Sequence, residues 1–244
     1  MNKSFAISVL TLMSSVLLTE CTCNPIDVIE SVENKIYKND IHGIDVSRHQ
    51  HKNGNIDWTK VSKALPKDAF VYVKCTEGST YQDPKYIENT DGARKQGLLV
   101  GGYHYFRMTS SAHEQFRNFK KALDKIDADL IPMVDVETND RRPVKQLQDS
   151  LQIFLDLLEK EYGKKPMIYG TNRSYNTYCA PKFNGYHLYL GRYGSEPPVI
   201  KGKGHYSIWQ FSDKTTISGI CTAVDVCRFH PKFDIEDIRL DKKD

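Results

Sequence analysis

Eight short apolar runs punctuate the chain, and their lengths predict strands. They are Gly43–Val46, Phe70–Lys74, Leu98–Tyr105, Leu130–Val136, Pro166–Tyr169, His187–Leu190, Tyr206–Gln210 and Ala223–Val226. Runs of four to eight residues rich in Val, Ile and Tyr suit strands better than helices. Between the early runs the period lengthens. Tyr86–Gln96, Ala112–Leu123 and Leu147–Tyr162 read as helices. In the third, Leu147, Leu151, Phe154, Leu155 and Leu158 form one apolar stripe, and Gly163 is placed to end it. After Tyr169 the gaps are shorter, richer in Gly and Pro, and poorly helical. Strand and helix alternate first, and a strand-rich end follows. The expected fold is α/β: a single irregular (β/α) barrel, TIM-like, with its last strands poorly helix-connected.

Composition narrows the class. The 244 residues suit one barrel, and 39% hydrophobic content suits a globular chain. A net charge of +3 permits weak attraction to an acidic polymer. The lysine-rich patches are interrupted by acids, so nucleic acid is not expected as a partner. Lys3 followed by the apolar stretch Phe5–Leu18 reads as an export signal over residues 1–20, too short to span a bilayer. Residues 21–40 are polar and read as a linker or tether. Leu18-Thr19-Glu20-Cys21 resembles a bacterial lipoprotein cleavage box except at Glu20, where a small residue is expected. Lipidation at Cys21, or at Cys23, therefore stands beside plain secretion. The barrel is expected over residues 41–232, with a charged surface extension over 233–244. Export makes disulfides available, and Cys221 and Cys227 could bridge a hairpin. Cys75 reads as a small buried residue.

The chemistry centres on Leu130-Ile-Pro-Met-Val-Asp135-Val-Glu137. Alternation along a strand puts Asp135 and Glu137 on one face. Two carboxyls on a core strand resist desolvation, so their presence points to function. Glycosidic cleavage uses such a pair, one acid protonated and one ionised. In a barrel of this kind the C-terminal strand ends carry the site. Those ends offer Asp45, Lys74 and Glu77, Tyr103, Tyr169, Trp209 and Gln210, and Asp225. Acids among aromatic rings suit a sugar polymer. A metal site is the weaker reading, because His42, His49, His51 and His104 do not fall at motif spacing. A Ser or Cys nucleophile is weaker still, since Ser47 and Cys75 lack a recognisable neighbouring base.

These residues carry a resemblance. Gly43-Ile-Asp-Val-Ser47 with Gln50, Ile56-Asp57-Trp58 and Phe70 to Gly78 resemble the opening of glycoside hydrolase family 25. These are the Chalaropsis-type lysozymes. Gly101 to Phe106, Asp135-Val136-Glu137, Ile168-Tyr169, Leu190 to Tyr193, Trp209-Gln210 and Val224 to Phe229 continue the family's order. Departures are Cys75 for a small residue, Tyr189 where Trp is common, and Cys227 where Asn often stands. The resemblance implies an N-acetylmuramidase that cleaves the β-1,4 bond between N-acetylmuramic acid and N-acetylglucosamine with retention, needing no cofactor or metal. Glu137 would be general acid and base, Asp135 the transition-state stabiliser, and Asp45 and Asp225 the remaining acids. Lys74, Glu77, Tyr103, Tyr169, Trp209 and Gln210 would line the saccharide groove. The implied partner is peptidoglycan and the implied state a monomer, exported and either secreted or lipid-anchored. The rival reading is a non-catalytic wall-binding protein on the same barrel.

Overall fold

The structure, a computed structural model, describes residues 40–241. The expected export signal and the lipidation candidates Cys21 and Cys23 lie outside the described residues. So does the tether up to residue 39. The described chain runs β1 (Gly43–Val46), α1 (Trp58–Ala64), β2 (Phe70–Glu77), β3 (Tyr81–Gln82), α2 (Tyr86–Lys95), β4 (Leu99–Tyr105), α3 (Ala112–Leu123), β5 (Met133–Asp135), α4 (Val144–Tyr162), β6 (Met167–Thr171), α5 (Asn172–Tyr178), β7 (His187–Gly191), β8 (Ile208–Thr215) and β9 (Val224–Phe229). Among them, no helix is long and apolar enough to cross a membrane.

Eight strands close a barrel in the order β1-β2-β4-β5-β6-β7-β8-β9, with β9 returning to β1. β3 only extends the end of β2 as a hairpin. All neighbours are parallel except β9, which runs antiparallel to both β8 and β1. This is the irregularity expected of the last units. β8 and β9 form a hairpin, which needs no crossover helix, so the pattern there is poorly helical.

Alternation along each strand divides the core in two. Val71, Val73, Val134, Val136, Ile168, Leu188 and Leu190 face outward, with the stripe of α4 in the same layer, all fully buried. Phe70, Tyr72, Met133, Met167, Tyr189 and Ile208 fill the barrel interior. α3 begins at a capping box between Ser111 and Glu114, and α4 ends at Gly163 in the left-handed conformation, φ 76°. The sequence pattern did not reveal α1 and α5. Each is seven residues long, too short for an apolar stripe, and each starts at a side-chain cap, Asp57 or Thr171.

Two local expectations differ from the structure. Cys227 is free and buried, as are Cys75 and Cys179, while Cys221 is disulfide-bonded elsewhere. A Cys221–Cys227 bridge does not form, because Cys227 lies within β9 and belongs to the barrel interior. The described part of the expected surface extension, residues 233–241, instead closes the floor of the barrel. Ile131 N donates to Ile238 O at 2.9 Å and Leu240 N to Asp129 O at 2.9 Å. Ile238 is fully buried in the interior cluster, with Ile235 and Leu240 packed against it. Charged neighbours hid these apolar positions in the sequence. Ile238→Ala is expected to destabilise the fold by about 2–5 kcal/mol. Ile153→Ala on the exposed side of α4 should change stability by less than about 0.5 kcal/mol. Urea denaturation of both variants checks the contrast, and equal effects would mean that the tail does not close the floor.

Candidate active site

The mouth of the barrel lies at the C-terminal ends of the parallel strands, and Asp225 reaches it by a different route. β9 runs the opposite way, so its N-terminal end is at the mouth, where Asp225 pairs in register with Asp45. β4, β5 and β6 bring Tyr105, Asp135 and Tyr169 into one row. Glu137 follows two residues beyond Asp135, the last residue of β5. Val134 and Val136 are buried outward, which leaves both acids to the mouth. The four carboxyls singled out in the sequence thus converge, from β1, β5, the segment after β5, and β9.

Hydrogen bonds hold Asp45. Its Oδ2 accepts from Tyr189 Oη at 2.9 Å and from Gln210 Nε2 at 2.8 Å. Gln210 Oε1 in turn accepts from Tyr169 Oη at 2.8 Å and Tyr193 Oη at 3.2 Å. Gly191 leaves room for this network. A Cβ there would stand 2.9 Å from Gln210 Oε1 and 3.1 Å from Tyr169 Oη. Asp225 also hydrogen-bonds to Asp45. Burial pushes both of these carboxyls up, and Asp45 pushes Asp225 further. Asp45 has two other donors, so the proton that the pair retains sits on Asp225, and Asp225 donates to Asp45.

Asp135 is 7% exposed and its Oδ1 has no hydrogen-bond partner. Burial, then the nearby Glu137, raise it well above the ordinary carboxylate range, with Lys74 opposing. Glu137 is half-buried. Burial raises it too, while the nearby Tyr105 hydroxyl and the charge of Lys74 oppose that rise. The charge of Glu137 raises Asp45, Asp135 and Asp225 in turn. In the free protein, Glu137 ionises before Asp135.

The flanking residues divide. Lys74 and Glu77 meet at the mouth, Nζ to Oε2 at 2.8 Å. Tyr103 sits among the acids, its phenol raised by burial and then by Asp45 and Asp135. Tyr169 and Gln210 are tied to Asp45 as described. Trp209 is not with them. It belongs to the outward layer, donates Nε1 to Arg192 O at 2.7 Å and lies under Arg228, 4.5 Å from ring centre to guanidinium. Alternation along β8 explains this, because Gln210 takes the inward position and Trp209 the outward one.

Two residues at the mouth escaped the sequence reading. Tyr193 is 49% exposed and bonded to Gln210, which leaves a ring free for a sugar face. Arg107 pairs with Glu77 at 3.3 Å. The signal for both was their place just past predicted strand ends. His104, by contrast, is a core residue. Gln115 Nε2 donates to Arg107 O and Ser110 O, so its Oε1 accepts from His104 Nε2 at 3.0 Å, and His104 Nδ1 accepts from Thr76 Oγ1 at 2.7 Å. Both ring nitrogens are used in structure, and the described residues hold no cluster of His, Cys, Asp or Glu suited to a metal ion.

A barrel with paired carboxyls and tyrosine rings at one mouth defines a class, the hydrolases of glycosidic bonds. Comparison with known proteins identifies the family. Residues 44–220 match Glycosyl hydrolases family 25, and the chain belongs to that family and is a glycoside hydrolase. The match includes Asp45, Asp135 and Glu137 and stops short of Asp225. The uncharacterised Escherichia coli protein YegX is 37% identical over 188 residues, 76% of this chain and 68% of its own length. The autolytic lysozyme of Clostridium acetobutylicum is 28% identical over 77% of this chain and 55% of its own. A family 25 glycosyl hydrolase structure from Bacillus anthracis superposes with a TM-score of 0.72 at 27% identity. That superposition covers 84% of this chain and 94% of the other.

The shared proton has a measurable consequence. The native state keeps Asp225 protonated at a pH where the unfolded chain has ionised it. Stability from this group therefore falls as pH rises from the ordinary carboxylate range, about 4, into the neutral range. Asp225→Asn removes that dependence. Its melting temperature relative to the parent should show little gain at pH 4 and a clear gain at pH 7.5, by circular dichroism. An offset independent of pH would mean that Asp225 is not held protonated.

Proposed function

We propose that this protein is an N-acetylmuramidase. It cleaves the β-1,4 bond between N-acetylmuramic acid and N-acetylglucosamine in peptidoglycan, with retention of configuration. Family membership and relatives named as lysozymes support the substrate class. The observation that carries the mechanism is the adjacent pair at the end of β5: a buried Asp135 with an unpartnered oxygen, and a half-buried Glu137 two residues further on. Glu137 is the acid that protonates the leaving oxygen and the base that later activates water.

The order of ionisation in the free protein must reverse for this chemistry, and substrate binding supplies the means. A saccharide laid over Glu137 excludes water and raises its carboxyl further. The acetamido N–H of the substrate offers Asp135 Oδ1 the partner it lacks and favours the ionised form. An ionised Asp135 then stabilises the positive charge that develops at the anomeric carbon and orients the acetamido oxygen for attack. Asp45 and Asp225, tied to each other and to Gln210, shape the opposite side of the mouth. The rings of Tyr103, Tyr169 and Tyr193 line the saccharide groove with Lys74 and Glu77.

Peptidoglycan lies outside the cytoplasm, and the apolar stretch Phe5–Leu18 behind Lys3 supports export. The exported protein is either secreted or lipid-anchored at Cys21 or Cys23, and it acts as a monomer.

The test is digestion of purified peptidoglycan, borohydride reduction and mass spectrometry of the products. New reducing ends on muramic acid are expected. Reducing ends on glucosamine would overturn the bond assignment, and wall binding without soluble products would point to a non-catalytic binder. Glu137→Gln should fold and lose at least about 1,000-fold in turnover, the scale of general acid catalysis. Asp135→Asn should lose about 100-fold or more. Near-parental turnover by Glu137→Gln would remove that residue from the acid role.

A further inference from the structure

Cations and aromatic rings alternate along one rim of the mouth, and the reaction scheme above does not use the outer end of the series. Arg48 Cζ lies 6.0 Å from the centre of the Tyr81 ring, and Lys74 Nζ lies 5.7 Å from the same ring. Lys74 Nζ is also 5.0 Å from the centre of the Tyr105 ring, and Arg107 Cζ is 5.8 Å from it. The members come from the turn after β1, from β3, β2 and β4, and from the residues just past β4. Arg48 stands three residues beyond Asp45, so the series starts where β1 delivers its acid.

The inner cations are neutralised. Glu77 holds Lys74 at 2.8 Å and Arg107 at 3.3 Å, and Asp140 holds Arg107 at 3.0 Å. Arg48 differs: among the described residues its guanidinium has no ion-pair partner. The acid bonded to this residue is Asp83, which is buried and uses both oxygens on main-chain amides. Its Oδ2 accepts from Arg48 N at 3.1 Å and its Oδ1 from Lys85 N at 2.9 Å. That bond fixes the Arg48 backbone and leaves the side chain exposed. Lys52, in the same turn, is also exposed and has no acid partner among the described residues. His49 between them feels the excess of positive charge. Burial, then the charges of Lys52, Arg48 and Lys74, lower its imidazole, and Asp83 opposes them. An exposed guanidinium on an anchored backbone, with its charge unanswered, is prepared for an anion.

We propose that the Arg48 end of this rim receives a carboxylate of the peptide stems that peptidoglycan carries, and so makes the protein prefer glycan strands with charged stems. This deepens the muramidase reading and rests on it. The chemistry of the polymer selects the stem. The glycan backbone presents hydroxyls and acetamido groups, and the lactyl carboxyl of muramic acid is consumed in the amide bond to the stem. The anions beside a groove that holds the glycan are therefore the stem carboxylates. A guanidinium meets a carboxylate with two parallel N–H donors, a geometry that an ammonium does not offer. Tyr81 lies between Arg48 and Lys74 and joins the exposed guanidinium to the saccharide groove that Lys74 lines.

The probe is peptidoglycan freed of phosphodiester polymers with hydrofluoric acid, either native or with its carboxylates converted to amides by carbodiimide and ammonia. Binding is read by sedimentation on ice with the Glu137→Gln variant, so that no bond cleavage is needed. This variant should bind the native wall about threefold more tightly than the amidated wall, the scale of a partly exposed charge pair. Adding Arg48→Gln should remove the preference. Adding Lys67→Gln, which removes the same charge from an exposed position just before β2 at the floor of the barrel, should keep it. In the parent enzyme the preference should appear in KM rather than kcat. Equal binding of the two walls by Glu137→Gln overturns the inference. So does a preference that survives Arg48→Gln, including the case where affinity falls equally for both walls, which marks a purely structural part for Arg48. Product analysis with the parent enzyme tests the muramidase reading separately. Absence of reducing ends on muramic acid would overturn that reading and leave the binding comparison to decide this one.

Discussion

The antiparallel pairing of β9 with β1 sets Asp225 opposite Asp45, and the mouth of the barrel is arranged around the proton those two carboxyls share. Two buried acids in contact cannot both ionise at reasonable cost. The surrounding donors decide which one does. Tyr189 and Gln210 both point at Asp45, and Gln210 is held in turn by Tyr169 and Tyr193. A chain of four side chains from β6, β7, the segment after β7 and β8 thereby settles the state of one carboxyl on β1. The missing side chain at Gly191 is part of the same arrangement, since any Cβ there would displace it.

On the other side of the mouth the logic differs. Asp135 is left with an unsatisfied buried oxygen, and Glu137 is held back from the full effect of burial by a phenol and an ammonium. An unpartnered carboxyl oxygen is a standing expense in the free protein. It makes sense where a ligand completes it, and it fits the general observation that active sites are less stable than the fold that carries them. The floor of the barrel shows the opposite economy, with Ile238, Ile235 and Leu240 packed into the apolar interior. The stability of one end supports the strain of the other.

Much of this was legible in the chain. The eight strands, the helices at 86–95, 112–123 and 144–162, and the helix stop at Gly163 follow from spacing and composition, because each depends on contacts near in sequence. The convergence of Asp45, Asp135, Glu137 and Asp225 was legible through the rule that barrel function gathers at strand ends. Trp209 was misplaced because a strand end offers two faces, and only the register of β8 against β7 and β9 shows which is inward. The direction of β9 was also hidden, since a short alternating run reads alike in either sense.

The sequence by itself determined the local elements, the family and the identity of the acids, because period, capping and side-chain type are properties of short stretches. Tertiary structure alone decided what those acids do to one another. Which carboxyl keeps a proton depends on donors contributed by strands more than 100 residues apart in the chain, as with Tyr189 and Gln210 at Asp45. Burial and hydrogen bonding act through space over a few ångströms, and only the closed barrel brings those groups within that range.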